Sequence, residues 1–191
     1  MKTNFNPISI KFTFLIFISI VVILSGCERA PQQAAVLTPA TPIQANAVIG
    51  SLGDSGVTGT AVFTQNDDMI TLIIEVMGAS PGLHGVHIHE KGDCSAPDGS
   101  SAGGHWNPTN VDHGKWGVGE FHLGDIGNIN VGEDGSGSIS LTTDLWEIGT
   151  GSDVDVVGKG IIVHADPDDF ISQPSGNAGA RIGCGVIVLT E

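Results

Sequence analysis

An all-β domain, an antiparallel sandwich or barrel, is the fold this sequence predicts. Short runs of alternating or β-branched residues recur along the chain, each bounded by Gly, Asn, Asp, Ser or Pro, which is how strands joined by turns read. Glycine reaches 28 of 191 residues, tyrosine is absent and charged residues make up only 15%. A turn-rich sheet protein accommodates that composition better than a helical one. No stretch carries the period of a convincing amphipathic helix, and no internal repeat is visible.

The length allows one domain plus extra sequence, and a body of roughly 150 residues can bury a substantial core. The extra sequence falls at the start. Residues 1–27 read as a secretion signal, with Lys2 and Lys11 as the only charges and an apolar run from Phe12 to Leu24. That run is short of the ~20 residues of a comfortable bilayer span but fits a signal peptide. It ends Leu24-Ser25-Gly26-Cys27, which resembles a bacterial lipobox. The resemblance implies cleavage before Cys27, lipidation of that cysteine and a membrane lipid anchor. Glu28, rather than an aspartate, follows it, so the expected address is the bacterial cell envelope, on the periplasmic side, at the outer membrane. Residues 28–45, rich in Pro, Ala, Gln and Thr, read as a flexible tether. The folded domain is expected over 46–191.

The formal net charge is −14, and would be −16 without Lys2 and Lys11. General electrostatics then excludes nucleic acid or anionic lipid as a partner. The expected strands are Ala47–Leu52, Val57–Phe63, Met69–Met77 (the strongest signal) and Leu83–Glu90, separated by turns at Asp54-Ser55-Gly56, Asn66-Asp67-Asp68 and Ser80-Pro81-Gly82. Residues 91–124 are poor in strand signal, and a loop of ~30 residues inside a compact domain is usually functional. Ile126–Val131 and Gly137–Thr142 flank the turn Glu133-Asp134-Gly135. Lys159–His164 follows, then a second long loop from Ala165 to Ala180, and Cys184–Leu189 closes the domain.

All seven histidines lie between His84 and His164. His87 and His89 are two apart on an expected strand, hence on one face, and two imidazoles on one face can reach one metal. An H-x-H pair alone is a weak signal. Here His105, His113, His122 and Asp125 follow in or beside the loop, and His164 sits on a later strand. His122 and Asp125 are close enough to share an ion. Imidazole nitrogen suits copper and zinc, and a carboxylate with histidines suits tetrahedral zinc. These ligands are too many for a single catalytic ion, so two sites are expected.

Gly85-Val86-His87-Ile88-His89-Glu90-Lys91-Gly92-Asp93 resembles the first signature of the copper–zinc superoxide dismutase family. Gly176-Asn177-Ala178-Gly179-Ala180-Arg181-Ile182-Gly183-Cys184-Gly185-Val186-Ile187 resembles the second. Between them Gly104-His105-Trp106-Asn107-Pro108, His113-Gly114, His122-Leu123-Gly124-Asp125 and Val163-His164 match the intervening motifs in order, so the resemblance covers residues 46–190. It implies an eight-stranded antiparallel Greek-key β-barrel with two long functional loops. It implies copper on His87, His89, His105 and His164, and zinc on His105, His113, His122 and Asp125, with His105 bridging. Asp168 would link a copper histidine to a zinc histidine, Arg181 would receive the substrate superoxide anion, and Cys94 would pair with Cys184 in a disulfide. His84 is read as a structural histidine. The implied reaction is 2 O₂⁻ + 2 H⁺ → O₂ + H₂O₂, with copper cycling between two oxidation states and His105 delivering a proton. The implied assembly is a monomer or a homodimer.

The second loop carries no lysine. In the better-known eukaryotic relatives that loop supplies cations, so here Lys91 and Lys115 would have to substitute. A copper- and zinc-binding envelope lipoprotein without turnover is the competing reading; the intact ligand set and arginine argue against it. A purely structural lipoprotein fits the ligands poorly. A zinc hydrolase would need a general base beside an open zinc position, and none is evident.

Overall fold

The protein is described here from a computed structural model covering residues 41–190. The expected signal segment, Cys27 and most of the expected tether lie outside the described residues. The folded unit is built from nine strands: β1 (Ile43–Ser51), β2 (Thr58–Asn66), β3 (Met69–Met77), β4 (Gly82–His89), β5 (Gly127–Val131), β6 (Gly137–Thr143), β7 (Gly160–His164), β8 (Arg181–Val186) and β9 (Val188–Leu189). The only helix among the described residues is a 3-10 turn, Ser100–Ala102.

The strands are antiparallel, in the order β2-β3-β6-β5-β4-β7-β8-β1, with β2 closing onto β1 and β9 adding to β1. This is an eight-stranded closed Greek-key barrel with one extra strand. β3 pairs with β6 and β4 with β7, so two connections cross over the barrel ends. β9 continues β8 after a break at Ile187, whose side chain is fully buried.

Side chains alternate across each strand, and the apolar ones meet inside. Ala45, Ala47 and Ile49 of β1, Ala61 and Phe63 of β2, Ile70, Leu72, Ile74 and Val76 of β3, and Ile129 and Val131 of β5 form one buried cluster with Val86, Ile88, Ile161 and Val163. β4 and β7 differ from the others in being buried on both faces over most of their length. Their inward face carries Val86, Ile88, Ile161 and Val163. Their outward face carries His87, His89, Ile162 and His164, and the long loops cover it.

Two boundaries and one loop depart from the sequence expectation. β1 starts at Ile43, so the expected boundary between tether and domain at 45/46 is too late: Ala45 is fully buried and pairs with Phe63 of β2 and Leu189 of β9. The strand expected over Cys184–Leu189 starts at Arg181 as β8, paired with His164 across a register shift at Val163/His164, and breaks at Ile187 before β9. Residues 144–158, which carried no expectation, form a third loop that is packed. Trp146 lies 5.8 Å from Phe63 ring to ring, and Ile148 and Val156 join the core. The buried Asp155 holds this loop through the N–H groups of Gly149, Gly151 and Val157.

Candidate metal centre

The outward face of β4 and β7 supplies three histidines. His87 and His89 point the same way from alternate positions of β4, and His164 stands on the same outward face of the neighbouring β7. The fourth comes from the loop. Trp106 N–H donates to Ile88 O (2.8 Å), Ile88 N–H to Gly124 O (2.9 Å) and Gly124 N–H to Trp106 O (3.0 Å). These bonds dock both ends of the loop on the end of β4 and lay His105 beside His89 as an antiparallel bridge. Gly124 is required there, because a Cβ would lie 3.1 Å from Trp106 N and closer still to Ile88 O.

The result is two buried sets of side chains. One is His87, His89, His105 and His164; the other is His105, His113, His122 and Asp125. In each set, one ligand atom per residue lies within 4.8 Å of all the others. His105 is common to both. The second set is tight: Asp125 Oδ1 lies 2.8 Å from His105 Nδ1, 3.0 Å from His113 Nδ1 and 3.2 Å from His122 Nδ1. Four ligands at tetrahedral corners about 2.0 Å from a zinc ion would be roughly 3.3 Å apart. Asp125 Oδ2 meanwhile accepts from Gly114 N–H and His122 N–H, which fixes its rotamer.

The ring nitrogens test whether these sets suit metals. His87 Nε2 donates to Asp168 Oδ2 (2.8 Å), His89 Nδ1 to Gly103 O (3.0 Å) and His164 Nδ1 to Gly179 O (3.3 Å). His113 Nε2 donates to Asp168 Oδ1 (3.0 Å) and His122 Nε2 to Val111 O (3.1 Å). Each acceptor fixes the tautomer, so the opposite nitrogen presents a lone pair. Those opposite nitrogens are the buried atoms without a hydrogen-bond partner: His87 Nδ1, His89 Nε2, His113 Nδ1, His122 Nδ1 and His164 Nε2, together with His105 Nε2. Buried polar atoms are otherwise almost always paired. Six unpartnered nitrogens converging on two points fit two metal ions. His105 alone has no acceptor outside the two sets: its Nδ1 faces Asp125, and its Nε2 is buried without a partner.

Burial is the main cause that drives His89 down to about 2, His105 to about 4 and His164 to about 3, with Asp125 pulling His105 part of the way back. These rings are neutral at neutral pH and available as ligands. Burial acts the same way on His113, but Asp125 and Asp168 outweigh it and raise that ring to about 9. Burial would raise both carboxyls; the imidazoles facing them instead hold Asp125 and Asp168 well below the usual carboxylate range. The second set is therefore a place for positive charge, met by protons or by a metal cation.

Arg181 Nη1 donates to Gly99 O (2.6 Å) and Nη2 to Gly103 O (2.7 Å). Both carbonyls belong to the stretch that the Cys94–Cys184 disulfide ties to β8. Gly103 O also receives His89 Nδ1, so one carbonyl aligns both the guanidinium and a ligand histidine. His84 is buried with both ring nitrogens beside carbonyls, at 2.8 Å from His164 O and 2.8 Å from Ser80 O, and stands in neither set. Lys115 Nζ lies 5.7 Å over the ring of Phe170 in the second loop. Asn128 of β5 is a contributor the sequence did not reveal: its amide grips the backbone of Asp168, accepting from N–H (2.7 Å) and donating to C=O (2.9 Å).

A family model described as copper/zinc superoxide dismutase matches residues 57–187. The chain belongs to the copper/zinc superoxide dismutase family. The match runs from the turn before β2 to the buried Ile187 and so takes in both ligand sets, the disulfide and Arg181. Copper and zinc are the cofactors of this family, and the two histidine clusters supply places for both.

Proposed function

We propose that this superoxide dismutase family member catalyses 2 O₂⁻ + 2 H⁺ → O₂ + H₂O₂, with copper on His87, His89, His105 and His164 and zinc on His105, His113, His122 and Asp125. The observation that supports this reading is that His105 is a member of both sets of buried ligand residues. When bound, copper supplies one-electron redox chemistry, while zinc supplies a fixed charge without redox activity.

The chain's own groups do the rest. Arg181 is oriented by two carbonyls and is among the few cations of an acidic domain. Its charge draws the superoxide anion toward the set that contains His89 and His164. Asp168 receives N–H from both His87 and His113, so one carboxylate orients a ring in each set. His105 Nε2, buried and without a partner, is the nitrogen from which the reaction would take a proton. The disulfide holds the Gly99–Gly103 carbonyls in place behind Arg181. At the chain's start, Cys27 is proposed as a lipid anchor that holds the domain on the periplasmic side of a bacterial envelope membrane, where it protects the envelope from superoxide. Leu24-Ser25-Gly26-Cys27 supports this placement.

The test is superoxide decay by the full chain in detergent, with copper and zinc counted in the same sample. Fast decay at one copper and one zinc per chain is the expected result, and His164→Ala should abolish it with zinc retained. Full loading without decay would replace the dismutase with a copper- and zinc-handling lipoprotein. Labelled fatty acid should enter the wild-type chain in a bacterial host but not Cys27→Ala; equal labelling would overturn the anchor.

A further inference from the structure

His113 is gripped by the second loop at three of its four polar groups. Its ring Nε2 donates to Asp168 Oδ1 at 3.0 Å. Its backbone N–H donates to Gln173 Oε1 at 2.8 Å, and its backbone C=O accepts from Gln173 Nε2 at 2.9 Å. Only Nδ1 is left, and that atom is buried, without a hydrogen-bond partner and 3.0 Å from Asp125 Oδ1. The carboxamide of Gln173 thus does for His113 what a neighbouring strand does in a sheet: it pairs with both backbone groups of one residue. No strand neighbours His113, because it lies in the irregular stretch between Gly104 and Gly124. The orientation of the amide follows from chemistry, since an N–H needs the oxygen and a C=O needs the NH₂ group. Nothing in the sequence marks Gln173, which sits in a Ser-Gln-Pro-Ser stretch with no ligand residue.

Asn128 grips the backbone of Asp168 in the same two-bond way. Both partners of the His113–Asp168 bond are therefore clamped by side-chain amides, one from the barrel wall and one from the loop itself. The Asn128 clamp ties the loop to the barrel. The Gln173 clamp ties the loop to the metal-binding stretch, 60 positions earlier in sequence.

We infer that Gln173 is a positioning residue for the zinc site, a latch that holds His113 Nδ1 on the ion by pairing with the His113 backbone. This rests on the proposed assignment of His113 to zinc. It acts on zinc and not on copper, because His87, His89 and His164 take their alignment from Asp168, Gly103 and Gly179 and not from Gln173. Loss of a group that orients a ligand typically weakens metal binding about ten- to a hundredfold. Gln173 is exposed and water competes for its amide, so about tenfold is expected.

The experiment follows zinc and copper release from the fully loaded full chain into a chromophoric chelator, for wild type, Gln173→Ala, Gln173→Glu and Asn177→Ala. Gln173→Glu keeps the shape and the acceptor for His113 N–H, but turns an oxygen toward His113 C=O. Asn177→Ala removes bonds of the same loop, to Asp169 and Ser172, without touching His113. The expected result is zinc release about tenfold faster in both Gln173 variants, copper release unchanged, and Asn177→Ala like wild type. Zinc release within twofold of wild type in Gln173→Glu overturns the latch. Equal acceleration of both metals in both Gln173 variants also overturns it, by showing general loosening instead. If the wild-type chain holds no zinc to release, the zinc assignment itself has failed, and the two failures are thereby told apart.

Discussion

Replacing Cys94 and Cys184 together by alanine should cost roughly a third or more of the stability margin of the metal-free domain. The two cysteines are 90 positions apart, so the disulfide closes a loop spanning β4 to β8. Loop-closure entropy for that length is about 15.5 cal/mol/K, or about 4.6 kcal/mol at 25 °C. A domain of this size has a total stability of roughly 5–15 kcal/mol. With a guanidinium m-value of about 4 kcal/mol/M, the unfolding midpoint should fall by about 1 M. The assay is guanidinium titration of the metal-free protein followed by tryptophan fluorescence, since Trp106 and Trp146 are buried. Changing both cysteines avoids a stray thiol. A loss below about 1 kcal/mol at an unchanged m-value would refute the reasoning, because it would mean that the unfolded chain gains nothing when freed of this loop. A second effect should appear in the loaded enzyme. The disulfide backs the carbonyls of Gly99 and Gly103 that hold Arg181, so turnover should fall at protein concentrations and temperatures where the domain is still folded.

Other residues give sharper local tests. Gly176→Ala would place a Cβ against Asp168 Oδ1 and 2.7 Å from His113 Nε2, at a φ of 65°; zinc affinity should fall about ten- to a hundredfold, and unchanged affinity would show that the loop yields freely. Arg181→Glu should slow turnover on the order of tenfold or more, less so at high salt, with both metals retained; loss of copper would mean that the arginine is structural. Asp169 accepts from Ser172 Oγ, Ser172 N–H and Ile171 N–H, which hold its carboxyl down at about 2 from an ordinary 3.8. Its hold on the second loop is complete above pH 3.8 and is lost as pH falls through 2, so the amide signals of Ile171 and Ser172 should titrate near 2 in wild type and not in Asp169→Asn. A midpoint near 3.8 would deny these bonds any preference for the charged form.

The strands were legible because their two-residue period survives in β1, β2, β3 and β5, where one face meets the core. β4 and β7 were legible from β-branched residues and the H-x-H spacing, although burial on both faces erases the period there. The start of β1 was hidden by Pro42 and by the Gln-Ala-Asn composition of its first residues, Gln44 to Asn46. The third loop was hidden for a physical reason: Trp146, Ile148 and Val156 pack without any repeat, and the order comes from one carboxylate, Asp155, bonding three backbone N–H groups. The ligand residues were readable as types at spacings. What orients them was not, because Gly103, Gly179 and Val111 act through backbone carbonyls that any residue could supply. Asn128 and Gln173 act through amides whose partners are set only by the fold.

The two ligand sets differ in how far apart their members lie along the chain. His105 and Asp125 are 20 positions apart and share one connection, while His87 and His164 are 77 positions apart on β4 and β7. Closing the longer segment costs about 1.2 kcal/mol more in chain entropy, and it also requires that the barrel be built. The set of His105, His113, His122 and Asp125 is contained in one connection that ends before β5. The set with His87 and His164 exists only once β4 and β7 have paired. One set thus depends on how a single connection folds back on itself, and the other on the closure of the barrel wall.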